Sequence, residues 1–440
     1  MNLYTKAKDY KLYHGSMLDM LEVIEPNSID SIVTDPPYGL TIIVKRFGKE
    51  SASLAKQGKD GSFNRLSKGF MGKEWDGSGI EYNVDTWCKC FEVLKPGGHL
   101  LAFGGSRTYH RIACAIEDAG FEVRDCIMWL YGTRFPKSTG IKLEAWQGWH
   151  TALKPAYEPI IVARKPFNGS LSNNLEVNGV GALNIDECRI PTNEAIKECS
   201  QPDYESISKL QKELSGSSKL SFGQIGNAER SGIPYKSHAL GRYPSNIIHD
   251  GSEEVCQGFP KTGKSGSITK CYKATNEIYG KRQDIEPFVA YQDNGSASRY
   301  FYCAKATTKD REQGLDEFVA KQISDGSIRN NSETGNKYGA NPTIKKNIHP
   351  TVKPTELMQY LVRLVTPKGG IILDPFMGSG STGKAAMYEN KERNANYKFI
   401  GIELTDEYLP IAKARIDFAI NDLTEYDKEK CERNEQIKLF

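Results

Sequence analysis

No apolar run in this chain approaches the ~18 residues that a membrane-spanning helix needs, and mean hydropathy is −0.53, so a membrane protein is not expected. The opening MNLYTKAKDYKLYHG lacks the apolar stretch of a secretory signal, which makes the cytoplasm the expected location. Cys-x-x-Cys is missing as well: the ten cysteines stand singly, and only Cys88 and Cys90 are close-set. On a helix those two point apart. Cys188, Cys256, Cys271 and Cys303 with His249 lack the paired short spacings that mark a zinc site. Reduced, buried thiols are the expectation, and no metal is. A charge of one sign is absent too, with 58 Lys and Arg against 55 Asp and Glu, so a polyanion partner must be met by local patches. No internal repeat is found. What is present is 440 residues, long enough for two or three domains and for a core without disulfide or metal staples.

The chain divides into zones. Through residues 1–165 short apolar runs alternate with helical patterns: strand Ile29–Val33, helix Thr86–Leu94, strand His99–Phe103, helix Arg107–Asp118, strand Phe121–Trp129 and strand Glu158–Ala163. Residues 166–347 are weakly periodic and rich in Gly, Ser and Asn, the texture of a large insertion. In 348–422 the alternation returns, with helix Pro354–Val365, strand Gly370–Leu373, helix Gly380–Met387, strand Phe399–Ile402 and helix Thr405–Ile420. Residues 423–440 are a charged tail. Strands alternating with helices predict a largely parallel sheet covered on both faces. Neither flank has strands enough alone, so one discontinuous α/β domain carrying an inserted recognition lobe is the simplest arrangement.

Two motifs carry chemistry. Strand Gly370–Leu373 runs into Asp374-Pro375-Phe376-Met377-Gly378-Ser379-Gly380-Ser381-Thr382-Gly383-Lys384 and then a helix, a turn that lets a ligand approach the backbone and the helix N-terminus. Three ligands compete for it. Gly378, Gly380 and Gly383 with Glu403 twenty residues after the last match a dinucleotide-binding unit. Gly378 to Lys384 nearly matches a phosphate-binding loop, but Ala385 stands where magnesium needs a hydroxyl, which counts against an ATPase. S-adenosylmethionine is the third, with Asp374 suited to its ammonium group and Glu403 to its ribose hydroxyls. The turn alone does not choose among them.

The N-terminal motif does choose. Strand Ile29–Val33 ends in Thr34-Asp35-Pro36-Pro37-Tyr38-Gly39. Pro-Pro after Asp ends a strand almost anywhere. Mere termination does not explain a carboxylate, a rigid backbone and an aromatic ring at the strand edge where ligands bind in open α/β sheets. An exocyclic amine needs that set. Asp35 accepts one of its hydrogens, the Pro36 carbonyl accepts the other, Pro37 stiffens the turn, and Tyr38 offers a face for stacking.

Here the sequence resembles the bacterial and phage DNA amino-methyltransferases with an Asp-Pro-Pro-Tyr motif, in the beta-class order: catalytic motif first, target-recognition region next, cofactor motif Phe376-Met377-Gly378-Ser379-Gly380 near the end. Leu94-Lys95-Pro96-Gly97-Gly98 and His349-Pro350-Thr351-Val352-Lys353-Pro354 also match. The resemblance implies a Rossmann-like S-adenosylmethionine-dependent methyltransferase fold with circularly permuted motif order, S-adenosyl-L-methionine as cofactor, and double-stranded DNA as substrate in restriction-modification or a related setting. By resemblance, Asp374, Phe376, Gly378, Ser379, Gly380, Thr382 and Glu403 hold the cofactor, with Thr351 and Lys353 near its methionine carboxylate. The family usually has Gly-Asp before the catalytic strand to meet the cofactor adenine; this chain reads His14-Gly15-Ser16, which leaves Ser16, or Asp19 a turn later, for that contact.

Asp at the first motif position resembles adenine-N6 enzymes, whereas cytosine-N4 enzymes more often carry Ser there; cytosine-N4 transfer and a degenerate DNA-binding relative are the alternatives. The base must flip out of the duplex to be reached. DNA contact is expected at the basic segment 41–75, where Lys45, Arg46, Lys49, Lys56, Lys59 and Arg65 belong to eight Lys and Arg against three acids. A second expected patch, 257–283, includes Lys261, Lys264 and Lys270. Gln436-Ile437-Lys438-Leu439-Phe440 resembles the short peptides by which bacterial DNA-processing proteins dock on the sliding clamp, with Gln436, Leu439 and Phe440 as contacts. A homodimer is compatible with this reading.

Overall fold

A computed structural model describes residues 3–39, 78–132, 143–192, 241–263, 294–305, 307–322 and 344–421, with the short stretches 55–57, 61–63, 140–141, 329–330 and 337–338. The chain forms two compact units. The first comprises Met1–Cys188, Ser245–Val255 and Cys303–Phe440; the second comprises Arg189–Pro244 and Cys256–Tyr302. Among the described residues no helix is long and apolar enough to cross a membrane.

The first unit is built on a ten-stranded sheet. Its strands are Leu3–Lys6 (β1), Tyr10–His14 (β2), Ile29–Thr34 (β3), Leu94–Phe103 (β4), Glu122–Leu130 (β5), Tyr157–Arg164 (β6), Ile247–His249 (β7), Tyr302–Cys303 (β8), Ile371–Asp374 (β9) and Lys398–Glu403 (β10). Their order is β1-β2-β10-β9-β3-β4-β6-β5-β7-β8. From β2 to β4 every pairing is parallel. β6 runs antiparallel to both its neighbours. The expected flank strands all form, within a residue or two of their predicted ends except that β4 begins earlier, at Leu94. The sheet brings the two flanks together, with β9 pairing directly with β3.

Besides the short helix Glu253–Gly258, the described helices include Met17–Leu21 (α1), Val84–Val93 (α2), Tyr109–Asp118 (α3), Leu171–Asn178 (α4), Thr308–Glu312 (α5), Thr355–Val365 (α6), Ser381–Arg393 (α7) and Leu409–Asn421 (α8). α2 starts where the Asn83 side chain accepts the Asp85 N–H at 3.1 Å, an N-cap. Met17, Leu21, Trp87, Cys90, Ile112 and Ile116 from α1 to α3 pack on Ile32, Leu100, Ala102, Ile161, Leu373 and Ile402. Side chains alternate across a strand, so Asp374, next to Leu373, faces the opposite side and meets Thr382 of α7. The sheet is therefore covered on both faces, as the alternating pattern predicts.

The second unit falls within the 166–347 zone. At the start of that zone Asn174 of α4, in the first unit, is buried and donates to the carbonyls of Pro96 at 3.1 Å and Val180 at 2.7 Å. Asn184 N–H reaches Leu364 O at 2.8 Å. At the far border α5 acts as a latch. The Asp310 carboxylate accepts from Thr355 N at 2.8 Å and from Thr355 Oγ1, capping α6, and also from Lys384 Nζ of α7 at 2.6 Å. Arg311 donates to the carbonyls of Asn347 and His349, and Glu312 accepts from Lys346 N at 2.9 Å. Burial pushes the Asp310 carboxyl up, but Lys384 and Arg415 outweigh it and hold the group below the usual carboxylate range. Lys384 is fully buried. Removing one partner of such a pair strands the other charge and is generally far costlier than the pair is stabilising.

Candidate active site

Strands β3 and β9 are neighbours, yet from β3 the chain crosses to β4 on one side and from β9 to β10 on the other. The crevice beyond the carboxyl ends of two such strands is where open α/β sheets bind ligands. A cavity of about 260 Å³ lies there. Its wall takes Gly15 and Ser16 after β2, Asp35 to Tyr38 after β3, Glu158 at the start of β6, Pro375, Phe376 and Gly378 after β9, and Ile402 to Leu404 at the end of β10. His349, Thr351 and Tyr408 close it.

The turn after β3 is held from three directions. Tyr82 Oη donates to the carbonyls of Tyr38 at 2.9 Å and Gly39 at 3.0 Å, and Thr108 Oγ1 donates to Tyr38 O at 2.8 Å. Gly39 has φ +55°, and a Cβ there would lie 1.9 Å from Glu81 Oε1, so only glycine fits. At the mouth of the turn four side chains converge. Lys353 Nζ bonds Asp35 Oδ2 and stands 3.6 Å from Glu158 Oε2. Tyr38 Oη donates to Asp35 Oδ1 at 2.9 Å and lies 3.3 Å from Glu158 Oε2. Lys353 Nζ also sits 4.8 Å from the Phe103 ring centre and 5.4 Å from that of Tyr38. Burial pushes the Asp35 carboxyl up, the Lys353 ammonium pulls it down and Glu158 adds to the rise, with a net increase.

At the other end, Glu403 Oε2 accepts from Gly378 N at 2.7 Å and Oε1 from Thr405 N at 2.7 Å. Gly378 has φ +54°, and a Cβ would lie 2.7 Å from His349 Nε2. The His349 ring packs edge-on against Tyr408 with centroids 4.7 Å apart. Burial, with Lys353, Arg311 and Arg415 nearby, pushes its imidazole down to about 3, so it is neutral.

A family model described as DNA methylase matches residues 29–414 of this sequence. The chain belongs to that family. Among relatives, the type II methyltransferase M.SfiI of Streptomyces fimbriatus is 22% identical over 428 residues, covering 91% of this chain and 89% of that protein. The type II methyltransferase M.HindIII of Haemophilus influenzae is 28% identical over 200 residues, 39% of this chain and 64% of that protein. The DNA adenine methyltransferase YhdJ of Escherichia coli is 39% identical over 71 residues, 16% of this chain and 22% of that protein.

DNA methylases take their methyl group from S-adenosylmethionine, and the residues present fit it. The carboxylate of Glu403 lines the wall as a hydrogen-bond acceptor for a polar ligand group. Met17, Phe376, Ile402 and Tyr408 offer apolar surface for a purine. Ser16 is on the wall and makes no cap bond to α1, whereas Asp19 is exposed and off the wall.

Several of the residues expected at the cofactor make hydrogen bonds within the turn. Asp374 is buried away from the wall, because Thr34 Oγ1 at 2.7 Å and Phe376 N at 3.2 Å occupy its Oδ1, and Thr382 Oγ1 at 2.6 Å its Oδ2. Thr382 is thereby engaged as well. Ser379 accepts from Arg415 through its carbonyl at 2.7 Å and Oγ at 3.0 Å, and Gly380 (φ +76°) abuts Ala412 of α8. Lys353, expected at the cofactor carboxylate, pairs with Asp35. Lys384, the lysine of the phosphate-loop near match, is turned onto Asp310 and Gln313. Among the wall residues to which the sequence reading gave no role are Glu158 and His349, the latter quoted only as part of a matching motif. The signal for Glu158 was a carboxylate opening an otherwise apolar strand. Of the basic residues, Lys261 is exposed in the second unit on the strand Lys261–Thr262. Lys45, Arg46, Lys49, Lys59, Arg65, Lys264, Lys270, Cys271, Gln436, Leu439 and Phe440 lie outside the described residues, as does the side chain of Lys56.

Burial pushes the Asp374 carboxyl up to about 7, against the opposing hydrogen bonds from Thr382, Thr34 and Phe376 N. Unfolded, it titrates near ~3.9. The folded state therefore holds a proton between these values that the unfolded state has released. The resulting stabilisation is full below about pH 4 and is lost as pH rises to about 7. Asp374→Asn cannot ionise. From pH 5 to pH 8 in urea denaturation, wild type should lose stability relative to this variant by up to about 1.4 kcal/mol per pH unit across the window. Parallel pH profiles would mean an ordinary carboxylate.

Proposed function

We propose that this protein transfers a methyl group from S-adenosylmethionine to the exocyclic N6 amine of an adenine, flipped out of a specific double-stranded DNA sequence into the cavity beside Asp35. The carrying observation is that Asp35, Pro36, Pro37 and Tyr38 open onto the same cavity wall as Glu403, Phe376 and Gly378. When bound, S-adenosylmethionine supplies an electrophilic methyl group on a sulfonium. The chain's own residues do the rest. Asp35 accepts one N–H of the amine and the Pro36 carbonyl the other, which turns the nitrogen lone pair out of conjugation. Asp35, its carboxyl raised toward neutrality by burial, takes the proton that the methylated nitrogen sheds. Tyr38 stacks on the base, Glu403 accepts from the ribose hydroxyls, and Ser16 and Thr351 lie within the wall that receives the remaining polar groups of the cofactor.

Adenine is favoured over cytosine by the Asp at position 35 and by the adenine specificity in the name of YhdJ. DNA is met first by charge. The basic segment 41–75 follows the catalytic turn directly in sequence. In the second unit Arg242 and Arg299 lie 4.3 Å from the Tyr300 ring centre and Arg189 lies 5.5 Å from that of the exposed Tyr243, a mixture of cations and aromatics suited to phosphates and bases. The C-terminal Gln436, Leu439 and Phe440 dock on a sliding clamp, which raises the local concentration on newly copied DNA.

Tritium from labelled S-adenosylmethionine should appear in DNA, and methylation-sensitive sequencing should show N6-methyladenine at one motif; label at cytosine N4 would move the reading to the alternative. Asp35→Ala should lower transfer by about a hundredfold or more while calorimetry shows cofactor binding retained. Wild-type transfer by this variant would end the catalytic assignment. Deleting 51–68 should weaken DNA binding and flatten its dependence on salt; an unchanged slope would return the segment to plain surface. A pull-down of bacterial sliding clamp should succeed with the full chain and fail with the Leu439→Ala, Phe440→Ala double variant. Equal capture by both, or by neither, counts against docking.

A further inference from the structure

Both oxygens of Asp35 are already engaged: Oδ2 by Lys353 and Oδ1 by Tyr38 Oη at 2.9 Å. A substrate amine needs one of them. Lys353 has a side chain only 6% exposed, so it cannot release Asp35 into water, and an ammonium left unpaired at that depth is strongly disfavoured. An alternative partner must therefore be within reach. Glu158 Oε2 is 3.6 Å from the same nitrogen, on a side chain 4% exposed at the start of β6.

We propose that Glu158 is a positioning residue that receives the Lys353 ammonium when the substrate amine takes its place on Asp35. The inference rests on the amine-methylating function proposed above. A shift of somewhat under about 1 Å converts the present 3.6 Å separation into a charge-assisted hydrogen bond. The aromatic faces of Phe103 and Tyr38 flank the ammonium and favour a cation throughout. Tyr38 Oη, within 3.3 Å of both carboxylates, can turn from Asp35 to Glu158 in the same exchange. The amine arrives neutral, so the number of ionised groups is the same before and after, and only the partners change. In the free protein Lys353 thus occupies the site of the substrate's N–H donors until DNA arrives.

The charged and titratable groups facing Asp35 are Lys353 from the segment before α6, Glu158 from β6, Tyr38 from its own turn and Asp374 from β9. Glu158 raises the Asp35 carboxyl, so Glu158→Gln should move the acid limb of the single-turnover rate to lower pH. The limit on the rate is separate: with Lys353 left only Asp35 as a charged partner, transfer should slow by roughly tenfold to a hundredfold, with cofactor affinity and DNA KM held within about twofold. Glu158→Asp restores the charge at shorter reach, so its acid limb should return to the wild-type position with an intermediate rate. Wild-type rate and acid limb in Glu158→Gln would overturn the inference, and so would a Glu158→Asp limb that stays with that of Glu158→Gln. If Glu158→Gln fails to bind cofactor by calorimetry, Glu158→Asp against wild type decides by rate, and an unreduced rate overturns it. Wild-type protein that transfers no label to DNA would fail the parent reading instead, before either variant is compared.

Discussion

An ammonium buried between two carboxylates tolerates little slack. Paired, it opposes the rise that burial imposes on the Asp35 carboxyl; unpaired, it would destabilise the pocket it sits in. Much of the first unit is organised around delivering those three groups to one point. β3 brings Asp35, the start of the antiparallel β6 brings Glu158, and the segment 346–355 brings Lys353. That segment has no strand or helix of its own until α6. It is pinned at both ends by α5, through Glu312 on Lys346 and Asp310 on Thr355. The fully buried Lys384 and Arg415 then hold Asp310 charged. Electrostatic precision at the turn after β3 is thus inherited from a second buried ion cluster.

The two ends of the cavity are built on different principles. At the Asp35 end, side chains with ionisable tips face one another. At the Glu403 end the work is done largely by backbone: a glycine at positive φ, an N–H from Gly378 and a carboxylate that spans two loops. Asp374, Ser379 and Thr382 lie behind this wall and stiffen the turn that presents it.

The architecture was largely legible because period and punctuation agree. Apolar runs such as Ile29–Val33 and Gly370–Leu373 are flanked by helices with clear breakers, and they become β3 and β9 nearly as bounded. The turn after β3 stood out because its residue types suit one chemistry, and Asp35 to Tyr38 line the cavity. What was not legible falls into two kinds. Asp374 reads as a ligand because it stands at a strand end beside glycines; its hydrogen bonds from the hydroxyls of Thr34, 340 residues away in sequence, and Thr382 leave no local trace. Asn174 and Asp310 lie in the weakly periodic zone 166–347 and carry no local signal, yet each bonds backbone or charge supplied by distant segments. Partnership across long separations leaves no local pattern.

Parallel pairing of β3 with β9 has a consequence for how the molecule is made. Ile32 and Leu373 are register partners, and β2 aligns with β10 over Tyr10 to His14. At synthesis rates of about 5–20 residues per second, tens of seconds separate the first strand of each pair from the second. For that interval β2 and β3 each lack a neighbour, and the edges they present are the kind that pairs with other chains. The long middle portion is translated during this wait. Nascent chains would therefore be most exposed to misassociation while the insertion is being added, and the sheet can close only when the final α/β segment has left the ribosome.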